Sequence, residues 1–242
     1  MFNWDYKIMR VHYEKWSLRK KHFWSRMWED YEIGYLDRDL VPLLVLLNRD
    51  RDIYTTSSCS GRIVVVDGPV PWIREETSVV FKSHIPVTRL EVDFVFKKTP
   101  HQSYWLIVTG PIIHLSTASL RKALDILRKA RTAGFKHSGI IHISHARGIF
   151  VELVTGVYAA QLLRTQSTSL ISELEVEELL ATFNNALIEG KKRLQKLYEI
   201  LRAQLPENLD PYIESDLKNR SIRLLEYTPL EVFYEMCGDL CK

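Results

Sequence analysis

The sequence is poor in cysteine and has no long apolar run. Its 242 residues include three cysteines, Cys59, Cys237 and Cys241, too few and of the wrong parity for a disulfide framework, so reduced thiols are expected. No stretch approaches the roughly 20 apolar residues of a membrane span. The opening MFNWDYKIMR is aromatic and charged where a secretory signal is small and apolar, and a cytoplasmic chain is expected. Catalytic signatures are missing too. There is no G-x-G-x-x-G after a strand, no G-x-x-x-x-G-K-[ST], no G-x-S-x-G and no H-E-x-x-H, which argues against the common nucleotide folds and hydrolases. An excess of one charge is also absent: 33 basic against 30 acidic residues leave +3, too little by itself to mark a nucleic-acid binder.

What is present is a chain with 46% hydrophobic residues, enough for one substantial core. Residues 4–30 read as an aromatic and basic helix with Met9, Tyr13, Trp16, Phe23 and Met27 near helical spacing. Asp37 stands where an N-cap would precede the apolar LVPLLVLLN. From Ile53 the period becomes that of strands: DIYTTSS, RIVVVD, TSVVFKSH, then SYWLIVTGPIIHL interrupted at Gly110-Pro111, because proline cannot donate to a central ladder. A helix follows with an apolar stripe of Leu120, Ala123, Leu124, Leu127 and Ala130; SGIIHIS and GIFVELV read as a hairpin, and 173–204 as a second long helix. The expected fold is α/β of the α+β type, a mixed β-sheet packed with helices and not a Rossmann fold. Three parts are expected: an aromatic, basic helix in 1–36, a core domain over 37–204 and a helical tail over 205–242.

Basic residues are concentrated locally. Arg121, Lys122, Arg128, Lys129, Arg131 and Lys136 cluster against the single anion Asp125, and further basic runs occur at 19–26 and 191–196. Each reads either as a solvated helix face or as a surface for phosphates. A zinc site from His137, His142 and His145 is disfavoured, since on a strand His142 points opposite to the other two and Cys237-x3-Cys241 has no paired knuckle. No metal is expected. A Ser58–His84–Asp67 triad can be drawn, but nothing in the spacing brings the three together.

The densest polar cluster is TTSSCSGRI, Thr55 to Ile63, between two apolar strands. A buried cluster of this kind must satisfy each hydroxyl and the guanidinium. With LLNRDRDIY before it, a strand ending at His84, the Pro-x-x-His element from Pro111 to His114, GFKHSGI from Gly134 to Ile140, and a long helix carrying Asn184 and KKRLQKLY, it resembles the tRNA wybutosine-synthesising methyltransferase family. These enzymes N-methylate the tricyclic guanosine derivative beside the anticodon of phenylalanine tRNA. The resemblance covers residues 37–203. Departures are Gly110 where many members have glutamate, Glu152-Leu153 where others carry Arg-Ser, and VYAAQ in place of an acidic-Val-Pro element.

The resemblance implies S-adenosyl-L-methionine as cofactor and tRNA as partner. It implies catalytic roles for His84, as general base, and Ser58. Ser57, Cys59, Ser60, Gly61, Arg62, His114, Ser138 and Gly139 would line the cofactor site, with Arg62 clamping either the cofactor carboxylate or a tRNA phosphate. Arg121, Lys122, Arg128, Lys129, Arg131, Lys136, Asn184, Lys191 and Lys192 would contact nucleic acid, and Trp24 or Trp28 would stack on unpaired bases. Two other readings stay open: a non-catalytic tRNA-binding protein that keeps the fold, and a protein-interaction module. The bland reading of the same residues is a serine-rich turn, satisfied strand-end histidines and a surface asparagine.

Overall fold

The structure is a computed structural model and describes residues 11–204, 208–220 and 222–241; Met9 and the start of the expected first helix lie outside these. The order of elements is α1 (Tyr13–Glu32), α2 (Val41–Arg49), β1 (Ile53–Cys59), β2 (Arg62–Asp67), β3 (Ser78–Ser83), the single turns α3 (Arg89–Val92) and α4 (Phe94–Lys97), β4 (Ser103–Thr109), β5 (Ile112–Thr117), α5 (Leu120–Thr132), β6 (Gly139–Ser144), β7 (Gly148–Val154), β8 (Tyr158–Thr165), α6 (Glu175–Arg202), α7 (Pro211–Asn219) and α8 (Pro229–Cys237). The class is the expected α+β one, with no Rossmann arrangement. The strands, however, are divided over two four-stranded sheets, β1-β5-β7-β6 and β3-β2-β4-β8. Every ladder in them is antiparallel. The divisions fall at short polar or glycine-bearing links: Ser60-Gly61 after β1, Gly110-Pro111 after β4, and Thr155-Gly156-Val157 after β7. No helix among the described residues is long and apolar enough to cross a membrane.

The chain forms two compact units. The first draws on Met1–Cys59, Ile112–Gly156 and Arg193–Val232. Its sheet buries Ile53, Ile113, Leu115, Ile149, Val151 and Leu153 on one face. On the other face α1 docks through Trp16, whose indole donates to Ser116 Oγ, while Phe23 stacks on Tyr54. α5 packs on β5 and β7 through Ala123, Ile126, Leu127 and Ala130. Leu124, expected on that stripe, is 55% exposed, and Ile126 holds the core-facing phase instead. Trp24 and Trp28 are likewise core residues rather than wet stacking platforms: both are buried, and Trp24 donates to Asp216.

The second unit draws on Ser60–Pro111, Val157–Lys192 and Phe233–Lys242. One face of its sheet carries Ile63, Val65, Leu106, Val108 and Leu163 into a core with α6 residues Val176, Leu180, Phe183 and Leu187. The expectation of three reduced thiols is corrected here, because Cys237 and Cys241 are joined in a disulfide one helical turn apart. Cys59 is half-buried and outside any disulfide.

A buried cation sits in the first unit. Lys20 lies on the same stripe of α1 as Trp16, Trp24, Met27 and Trp28; its ammonium donates to the Asp50 carbonyl and pairs with Asp210 at 3.0 Å. Desolvation holds its pKa below the ordinary 10.5, against the opposing pull of Asp210. Between the lowered value and 10.5 the unfolded chain binds a proton that the folded chain does not. Stability therefore rises with pH across that window, and the penalty is greatest below it. Relative to Lys20→Met, the wild type is expected to gain in melting temperature as the pH is raised towards 10.5; a pH-independent offset would contradict this.

Candidate functional site

The polar cluster forms where β1 ends and β2 begins. A bulge sets up its first half: Thr55 pairs with Leu115 and Ser58 with Ile113, so Thr56 and Ser57 together oppose the single residue His114. Bulges re-aim side chains in this way. His114 Nδ1 faces Ser57 O at 3.1 Å and Ser57 Oγ at 3.3 Å, and its Nε2 lies 2.8 Å from Glu152 Oε2 on β7. Both ring nitrogens are thus engaged, one on each neighbouring strand, and His114 fixes the bulge instead of facing a ligand as expected. Ser58 Oγ differs from its neighbours. It is buried and has no hydrogen-bond partner among the described residues, a state that costs about 1–3 kcal/mol unless a bound group completes it.

The second half of the cluster is built on close backbone approach. Gly61 has φ +97°, and a Cβ there would stand 2.9 Å from the Thr109 carbonyl oxygen. On α6 a Cβ at Gly190 would stand 2.9 Å from Pro111 Cδ and 3.3 Å from Gly110 Cα. Gly61 and Gly190 therefore both abut the Gly110-Pro111 link. The contact carries the next residue, Lys191, to Ser60: Lys191 is 1% exposed, donates to Ser60 Oγ at 2.5 Å and lies 5.0 Å from the centre of the Phe233 ring. Two expectations change. Lys191 is an interior residue and contacts no phosphate from a surface, and Ser60, fully buried, holds that ammonium in place of a ligand.

His84 follows the last pair of the β2–β3 ladder, Ile63 with Ser83. Its Nδ1 lies 3.0 Å from the Gly61 carbonyl oxygen. A carbonyl only accepts, so Nδ1 carries the proton and the basic lone pair is on Nε2. The drawn triad is not assembled: Asp67 sits at the far end of β2, accepting from the amides of His101 and Gln102. Ser138 is also reassigned. Its hydroxyl donates to Phe135 O and accepts from Val154 N, so it joins the α5–β6 turn to β7. Beside it, a Cβ at Gly139 would meet open space.

The basic residues separate into two groups. Lys122 pairs with Asp50, and Arg128 and Lys129 both pair with Asp125. Arg121, Arg131, Lys136 and Lys192 are exposed. Asn184 holds backbone rather than a base: its amide accepts from Val87 N at 2.8 Å and donates to Val87 O at 2.9 Å. Glu152 was given no site role from sequence, and Lys191 was given a surface one. Glu152 carried a signal, as an acid inside the apolar strand FVELV, which demands a partner. The role of Lys191 was also signalled, since it falls four residues after buried Leu187 and three before buried Leu194.

The α+β framework has no Rossmann sheet; its first unit holds a buried serine hydroxyl with no partner among the described residues, and its second an imidazole oriented by a backbone carbonyl. A family model described as Methyltransferase TYW3 matches residues 18–203, and the chain belongs to that family of methyl-transferring enzymes. The match includes most of α1, which the motifs alone had left outside. A relative from Saccharolobus solfataricus, named tRNA(Phe) 7-((3-amino-3-carboxypropyl)-4-demethylwyosine(37)-N(4))-methyltransferase, is 37% identical over 204 residues, 84% of this chain and 97% of that one. An Aeropyrum pernix protein of the same name is 34% identical over 163 residues, 67% of this chain and 86% of its own. Among solved structures, the PH1069 protein from Pyrococcus horikoshii superposes with a TM-score of 0.72 at 28% identity, covering 78% of this chain and 97% of that one.

The Gly61 geometry gives a direct test. Gly61→Ala places a side chain at positive φ against a carbonyl and is expected to cost about 1–3 kcal/mol, seen as a fall of roughly 2–4 °C in Tm per kcal/mol. An unchanged melting curve would contradict the close approach.

Proposed function

We propose that this chain transfers the methyl group of S-adenosylmethionine to a ring nitrogen of the wyosine-type tricyclic guanosine derivative beside the anticodon of phenylalanine tRNA, and that it acts in the cytoplasm, where tRNA is modified. The observation that carries the reading is family membership over residues 18–203 together with relatives bearing that activity in their names. The site's chemistry supports it. Ser58 Oγ is a buried polar atom lacking a partner, and a zwitterionic ligand supplies one. Ser57, Ser58 and Cys59 would hold the cofactor through hydroxyls, thiol and backbone amides, and exposed Arg62 is placed for an anion.

When bound, S-adenosylmethionine supplies an electrophilic methyl group on a sulfonium. The chain's residues position the acceptor nitrogen and remove its proton. His84, with its lone pair on Nε2 by virtue of the bond to Gly61 O, takes that proton as the new N–C bond forms. Alignment of reacting groups contributes up to about 7–11 kcal/mol and a general base about 3–5 kcal/mol. The pocket thus matters more than the base alone.

Incubation with labelled S-adenosylmethionine and phenylalanine tRNA from a strain lacking the gene, followed by nucleoside analysis, is expected to place the label in the tricyclic nucleoside. Label elsewhere, or none, would refute the substrate assignment. His84→Ala is expected to lower kcat by about 10²–10⁴-fold. Ser58→Ala, which removes a charge-assisted bond of about 1.5–3 kcal/mol, is expected to weaken cofactor binding by calorimetry about tenfold or more. Unaltered cofactor affinity in Ser58→Ala would remove that serine from the site.

A further inference from the structure

The helices of the second unit pack on one face of its sheet; the other face presents a different chemistry. Strand alternation places Arg62, Val64 and Val66 of β2 on that second face, with Lys82 opposite Val64, and Ile107 and Trp105 of β4 opposite Val64 and Val66. Tyr158 of β8 pairs with Thr109, which itself pairs with Arg62, so one row across the sheet runs from cation to aromatic ring. At the centre Val64, Val66 and Ile107 form a small cluster with Trp105 packed against it. The rim is open: Tyr158 is 62% and Val79 58% exposed, and Arg62 and Lys82 are exposed as well. The only carboxylate in the four strands is Asp67, which is buried and engaged by two backbone amides.

We infer that this face is a platform for unpaired nucleotides of an RNA substrate, with Tyr158 and Trp105 stacking on bases and Arg62 and Lys82 meeting phosphates. The inference rests on the tRNA reading above and adds to it the surface that holds the strand. Three observations favour RNA as the occupant. Exposed cations without a competing carboxylate complement a polyanion. Exposed Tyr158 shares its row with Arg62, which puts an aromatic face and a cation side by side across the sheet for a base and its phosphate. The row containing Arg62 also lies beside His84, which directly follows the last β2–β3 pair, so a strand laid on the face runs up to the base that would deprotonate the target. A protein ligand would be served equally well by the apolar centre but would leave both cations unmatched. On this assignment Arg62 holds a phosphate and not the cofactor carboxylate.

The test uses the full-length chain, wild type and the variants Tyr158→Ala and Lys82→Gln, both at exposed positions. Affinity for fluorescently labelled phenylalanine tRNA is measured against salt, cofactor binding by calorimetry, and oligomeric state by sedimentation. Tyr158→Ala is expected to weaken tRNA binding about five- to a hundredfold, and Lys82→Gln to reduce the slope of log K against log salt by about 0.7, with cofactor affinity unchanged in both. If the wild type binds tRNA and both variants bind within about twofold of it, the platform is refuted while the methylation reading stands. If the wild type does not retain tRNA, that reading fails and the platform with it. Should Tyr158→Ala change the mass of the particle and leave tRNA affinity untouched, the face joins copies of this chain and the inference is overturned.

Discussion

The absence of a β-carbon at Gly61 and Gly190 is the constraint on which the polar corner depends. A side chain at Gly61 would stand 2.9 Å from the Thr109 carbonyl oxygen and 3.3 Å from Gly110, and one at Gly190 2.9 Å from Pro111. Only with both contacts closed does Lys191 reach Ser60, and only with Gly61 in its left-handed conformation does its carbonyl face His84. Sterics fix the backbone first. The hydrogen bonds that orient the imidazole and satisfy the buried ammonium follow from it, and the chemistry follows from them.

Much of this was legible in the sequence, for reasons that are local. Strand periodicity over Ile53–Cys59 and Arg62–Asp67, the hairpin of β6 and β7, and the amphipathic α5 all emerge at the expected places. What local pattern does not encode is which strands pair. Gly110-Pro111 reads as an interruption in one strand, and the interruption is a passage from one sheet to another, a fact held in long-range register alone. The misassigned polar residues share a different cause. Lys191 and Asn184 were judged by residue type, as nucleic-acid contacts, and Lys20 as part of a basic run. The helical phase of the two lysines tells another story: Lys20 is flanked at i−4 and i+4 by buried Trp16 and Trp24, and Lys191 at i−4 and i+3 by Leu187 and Leu194. Position on the stripe decides burial, and a buried polar group then has to find a partner.

The two histidines near the corner show how neighbours set a role. His114 lies within β5 and His84 just past the end of β3, and sequence offered no ground for separating them beyond the family pattern. The β1 bulge and Glu152 take up both nitrogens of one ring. The Gly61 carbonyl faces Nδ1 of the other ring and so fixes its tautomer.

The ring of Phe233 closes over the Lys191 ammonium, yet residue 233 lies beyond the segment matched by the family, which stops at 203. Phe233 is thus packed into the second unit together with residues of the matched segment. Trimming the protein to its recognisable homology region would strip an aromatic roof from a charged interior, which makes the boundary of sequence kinship a poor guide to where this polypeptide can be cut.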